Sequence, residues 1–133
     1  MIERYYKYKI KYDNYIVMIK VGNFYEVIGK DSFIMNCLFN YKIKRISDSI
    51  KCGFPVNRVI NVINRLDVEH INYYIDDIDK IGEFDDNKYS NYSYDEKIVR
   101  YNLIRIDNII NYLCDNIVND IVIDKFEGII NEG

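Results

Sequence analysis

Between Tyr15 and Val21 the chain reads YIVMIKV, a strand-length apolar run rich in β-branched residues. Gly22-Asn23 follows, a two-residue hairpin signal, because both residue types accept the backbone conformations such turns require. A second strand beginning at Phe24 alternates its side chains between faces. Phe24 and Glu26 then share one face near the turn, with Tyr25 and Val27 on the other. An aromatic ring and a carboxylate thus project together from the tip of a β-ribbon.

The same periodicities extend along the chain. Residues 2–12 suit a short helix, although Tyr6, Tyr8, Ile10 and Tyr12 also alternate as in a strand. After the hairpin, Asp31 or Ser32 offers an N-cap for a helix whose apolar face is Phe33, Ile34, Cys37 and Leu38. YKIKRI (41–46) alternates as a strand, with Tyr41, Ile43 and Arg45 opposite Lys42, Lys44 and Ile46. Gly53 and Pro55 mark a corner. Beyond it, Val56, Val59, Ile60, Ile63 and Leu66 recur at helical spacing, and INYYIDDI (71–78) returns to a strand. The acidic, aperiodic stretch after it reads as a loop or linker. From about residue 96, Val99, Leu103, Ile106, Ile110, Leu113 and Ile117 recur in steps of four and three, one long amphipathic helix.

The expected architecture is α/β (α+β): a mixed β-sheet flanked by helices in residues 1–78, an acidic loop or linker over 79–95, and a helical C-terminal extension over 96–133. The extension's apolar stripe is read as packed on the core, with dimerisation through it as the alternative.

Composition excludes more than it adds. With 133 residues, 49% of them hydrophobic and 29% charged, the chain suits one folded domain rather than a disordered one. Ala, Thr, Gln and Trp are absent, a bias of the kind an AT-rich coding sequence produces. No apolar run approaches the length of a membrane span, and MIERYYKYKIKYDN lacks the apolar core of a signal peptide. Cys37, Cys52 and Cys114 are widely spaced and odd in number, so the expected compartment is the cytoplasm and no zinc site is implied. His70 stands alone and reads as structural. With no Ser/His/Asp set, metal-ligand cluster or glycine-rich phosphate loop, neither an enzyme nor a cofactor is expected.

Charge changes the picture once it is divided. Residues 1–70 carry 12 Lys and Arg against 7 Asp and Glu, whereas residues 71–133 carry 6 against 14. The overall charge of −3 therefore joins a basic half (+5) to an acidic one (−8). The first half suits a nucleic-acid surface; the second suits a protein partner and opposes phosphate.

IVMIKVGNFYEVIGKDS, YKIKRI and CGFPVNRVINVINRL, in that order, resemble the N-terminal mismatch-recognition domain (domain I) of the DNA mismatch repair protein MutS. That family carries G-D-F-Y-E-L on a hairpin, an acidic residue opening the next helix, a T-K-R-like strand end and a G-I-P-x-H-A-V corner. GNFYEV (22–27), Asp31, KIKR (42–45) and GFPVNRV (53–59) stand in their places, and the likeness covers roughly residues 5–76.

The resemblance implies a module that binds mispaired or distorted duplex DNA. Phe24 would enter the minor groove as a wedge on a mispaired base, and Glu26 would hydrogen-bond that base. Lys42, Lys44, Arg45 and Arg58 would contact the phosphate backbone. Asn23 replaces the family's aspartate, and Asn57-Arg58 stand where it has histidine and a small residue. Past residue 76 the likeness fades, and no G-x-x-x-x-G-K-[ST] occurs, so a free-standing module without ATPase is expected. The competing reading is an interaction or regulatory adaptor that keeps the fold and does not bind DNA. In it, Phe24 is a core residue and Glu26 a solvated carboxylate.

Overall fold

A computed structural model describes residues 2–132. Helix α1 (Ile2–Lys11) leads into the hairpin of β1 (Ile16–Val21) and β2 (Phe24–Ile28). Helix α2 (Lys30–Phe39), β3 (Lys44–Arg45) and β4 (Ile50–Pro55) follow. A 3₁₀ turn (Val56–Arg58) opens α3 (Val59–Glu69), and β5 (Tyr73–Ile75) and β6 (Lys80–Gly82) complete a sheet ordered β3-β4-β2-β1-β5-β6. Only β1 and β5 run parallel; the other neighbours are antiparallel. A second 3₁₀ turn (Lys88–Asn91) precedes α4 (Glu96–Asp115) and α5 (Asp120–Glu132). The fold is α/β, a mixed sheet flanked by helices with a helical C-terminal extension. Two compact units divide between Glu96 and Lys97.

Strand alternation sends the sheet's side chains into two apolar layers. Met18, Tyr25, Val27, Cys52, Phe54 and Tyr73 face α2 and α3, meeting Ile34, Met35, Val62 and Leu66. Val17, Ile19, Ile28 and Tyr74 face the other way and are covered by Tyr5 of α1 and by Tyr12. Burying each such side chain stabilises the fold by about 1.5–3 kcal/mol, which is why the period-two pattern of β1 and β2 sets their register.

The α2 start differs from its expected cap. Gly29, at φ +61°, precedes the helix, and Asp31 lies inside the first turn, fully buried. Its carboxylate serves the interior instead. It accepts hydrogen bonds from the Tyr5 hydroxyl, from Tyr89 Oη at 2.6 Å and from the Val17 amide at 3.0 Å. Lys9 Nζ reaches its two oxygens at 2.9 and 3.1 Å.

Other departures have equally local causes. The strand expected over 41–46 is formed only at Lys44–Arg45, because Tyr41 turns inward to stack on Phe39 and Phe54. The stretch 79–95 contains β6 and a 3₁₀ turn, and it buries Tyr89. Side-chain amides anchor it: Asn87 Oδ1 accepts from the Asn72 amide at 3.0 Å, and Asn72 Oδ1 from the Phe84 amide at 2.7 Å. β6 also needs Gly82, since a Cβ there would run into the Tyr73 ring.

The long C-terminal helix is broken at residues 116–119. Asn116 Nδ2 bonds back to the Tyr112 carbonyl at 2.8 Å, and Asn119 carbonyl and side chain receive the Val122 amide at the start of α5. Within this second unit, Ile110, Leu113, Ile117, Ile123, Phe126 and Ile130 line an apolar concavity of about 390 Å³.

The tyrosine-rich core gives stability a distinct pH dependence. Burial, then a hydrogen bond to Asp77, pushes Tyr25 up to about 12. Burial and a bond to Asp67 do the same for Tyr73. Tyr5 and Tyr89 are raised by burial and then by the Asp31 charge, and Tyr74 by burial and then Asp79. These phenols hold their protons more tightly folded than unfolded. Their contribution is therefore complete below the unfolded value of about 10 and is lost as pH rises through the folded values. Urea midpoints should stay level towards pH 9 and fall steeply above about 10, tracking tyrosinate absorbance. A midpoint unchanged well above that would contradict the assignment.

Candidate nucleic-acid interface

The hairpin that carries Phe24 and Glu26 closes tightly. Val21 pairs with Phe24 across Gly22-Asn23, and the positive φ (+60°) falls on Gly22 alone. Glycine first is the requirement of a type II′ turn, whose twist matches that of the strands it joins. β4 pairs on the other side of β2, setting Phe24 opposite Pro55 and Glu26 opposite Gly53. Phe24, Glu26, Lys51, Gly53 and Pro55 therefore lie on one face of the sheet. It is the α1 face, and the α1 layer centres on Val17, Ile19 and Ile28, away from the turn.

Phe24 is 50% exposed, an uncommon state for a ring on an interior strand of the sheet. Beside it a concavity of about 310 Å³ is lined by Phe24, Glu26, Lys42, Lys44 and Lys51, together with Cys52 and Gly53. The Glu26 carboxylate, 20% exposed, lies 3.4 Å from Lys51 Nζ, whose side chain is 32% exposed. An apolar ring, one acceptor and several ammonium groups thus share a small surface. It can stack on a base, accept one hydrogen bond and neutralise phosphates.

The six residues singled out from the sequence do not all meet. Phe24, Glu26, Lys42 and Lys44 line this concavity. Arg45, opposite Ile50 on β3, does not, in keeping with the alternation that sets it against Lys42 and Lys44. Arg58 ends the 3₁₀ turn, exposed, and its charge acts on the Tyr41 phenol, which packs against Phe54 on the α2/α3 side. Lys51 is the member of the cluster that sequence reasoning misses. Its signal lies in IKCGFP, where Cys52 and Phe54 alternate with Lys51 and Gly53, but the corner signal of Gly53 and Pro55 masks the strand.

A domain-family comparison decides what this surface belongs to: the model of MutS domain I matches residues 1–106. The chain belongs to the MutS domain I family. No curated protein matches the chain. The family match extends past residue 78, through the segment bearing β6 and Tyr89 and into α4. Membership makes this a DNA-binding domain of the mismatch-recognition type, and domains I of this kind are not catalytic. No described helix is long and apolar enough to cross a membrane.

Proposed function

We propose that this MutS domain I binds duplex DNA at mispaired or distorted steps by inserting Phe24 and presenting Glu26 to the displaced base, without an ATPase of its own. One observation carries the reading: the Phe24 ring is exposed at the ribbon tip, beside a carboxylate and within a cluster of lysines. An apolar wedge must unstack a base step, which costs a few kcal/mol and least where pairing is already faulty. A carboxylate near DNA is repelled by phosphate, so its presence there requires a compensating donor, such as a base N–H. Lys42, Lys44 and Lys51 supply the attraction that brings both groups to the groove.

The test is fluorescence anisotropy with matched and mispaired duplexes of the same length, across a range of salt. The mispaired duplex should bind about tenfold more tightly, the discrimination expected of a single base contact. Log affinity should fall with log salt at about −0.9 for each phosphate neutralised, and Lys42→Ala or Lys44→Ala should each flatten the slope by about one such increment. Added ATP should change nothing. Equal, negligible binding to both duplexes would remove the proposal and favour an adaptor role.

A further inference from the structure

We infer that Lys51 is a specificity-determining residue of this surface, fixing the position of the Glu26 carboxylate so that the domain prefers mispaired bases that offer an N–H. The inference rests on the base-contact role proposed for Glu26 and adds what that contact selects.

Lys51 lies on β4, opposite Ile28, so its side chain reaches Glu26 diagonally across the strand pair, with 3.4 Å between Nζ and Oε1. The two side chains line the Phe24 concavity together, and also a second concavity bounded by Ile2, Glu3, Val21 and Ile46. Glu26 therefore sits between the stacking ring and a fixed cation. Lys42 and Lys44 line the same concavity from the β3 side, and Lys44 stands directly across from Lys51.

An ammonium group so placed sets where the oxygens of its carboxylate partner point. The carboxylate of such an ion pair only accepts hydrogen bonds. The pairing decides which base edges suit the site. Thymine N3–H or guanine N1–H, freed by mispairing, meets an acceptor; a ring nitrogen with a lone pair meets the same negative oxygen and is repelled. Gly53 opposite Glu26 leaves the approach to the carboxylate open, since a Cβ there would stand 3.6 Å from Glu26 Cγ.

The experiment compares one mispaired duplex carrying thymine at the test position with the same duplex carrying difluorotoluene, a thymine isostere without the N–H. Anisotropy titrations give the affinity ratio for the natural sequence, Lys51→Met, Lys51→Arg, Glu26→Gln and Glu26→Gln/Lys51→Met. Any difference in duplex stability is common to all five proteins and cancels between them. The natural sequence should favour thymine by about tenfold, as a hydrogen bond to a charged group implies. Lys51→Met should bring the ratio to within about twofold, and Lys51→Arg should retain it. In the Glu26→Gln background, Lys51→Met should leave the ratio unchanged, because no carboxylate remains to be held.

If Lys51→Met weakens both duplexes equally and the ratio stands, Lys51 is a phosphate contact and the inference fails, while Phe24-dependent mismatch binding remains. If binding to mispaired DNA does not depend on Phe24 at all, the base-contact reading fails and takes this one with it.

Discussion

Phe24→Ala should abolish the preference for mispaired DNA, lowering affinity for the mispaired duplex by about tenfold to a hundredfold while affinity for matched DNA changes little. The magnitude follows from the stacking contribution of one aromatic ring against a base, about 1–3 kcal/mol on truncation to alanine. The selectivity follows from where that energy is realised. On matched DNA the ring would have to break a sound base step to stack, so it would remain outside and contribute little; on the proposed reading, electrostatic contact through Lys42, Lys44 and Lys51 would then provide most of the binding. The variant should fold normally. Half of the ring is already exposed, and its cross-strand partner Val21 is itself exposed, so urea denaturation should register a change within about 0.5 kcal/mol. Phe24→Tyr or Phe24→Leu should fall between the two, separating an aromatic face from mere apolar bulk. A Phe24→Ala protein that still distinguishes the two duplexes would show that selection resides elsewhere on the surface.

The parts of this interface that are legible in the sequence are those governed by short-range rules. The hairpin depends on a period of two and on Gly22-Asn23, both local, so the order of residues alone puts Phe24 and Glu26 on a shared face. The alternation of YKIKRI likewise separates Lys42 and Lys44 from Arg45. What cannot be read locally is which strands become neighbours. Lys51 meets Glu26 only because β4 pairs with β2, across 25 residues of chain that include a whole helix. The stretch 79–95 escapes a periodic reading for a different reason. Its strand is three residues long, and its order comes from Asn72, Asn87 and Tyr89, whose bonds reach across the sequence rather than along it. The break at 116–119 is hidden by the apolar period, which continues through Ile117 although two asparagines end one helix and start the next.

Asp31→Ala should destabilise the fold far more than any change at the surface proposed to face DNA, by about 3–5 kcal/mol, the cost of removing one member of a buried ion pair. Asp31, on α2, is fully buried and gathers groups from α1, β1 and the segment after β6. Its removal leaves the Lys9 ammonium with the Tyr15 carbonyl at 2.6 Å as its remaining strong acceptor and the Val17 amide without its carboxylate. Tyr5 keeps an alternative in the Ile28 carbonyl at 3.0 Å; Tyr89 loses its acceptor. The loss is a large share of the ~5–15 kcal/mol that holds a domain together, so urea denaturation at 25 °C should show a sharply lowered midpoint. Tyr89→Phe removes one bond and should cost about 1 kcal/mol. Asp31→Leu combined with Lys9→Met should recover part of the single-variant loss, because most of that loss is the orphaned cation and not the missing attraction. A cost below about 1 kcal/mol for Asp31→Ala would mean that water reaches the cluster and that Asp31 is not what binds α1 and Tyr89 to the sheet.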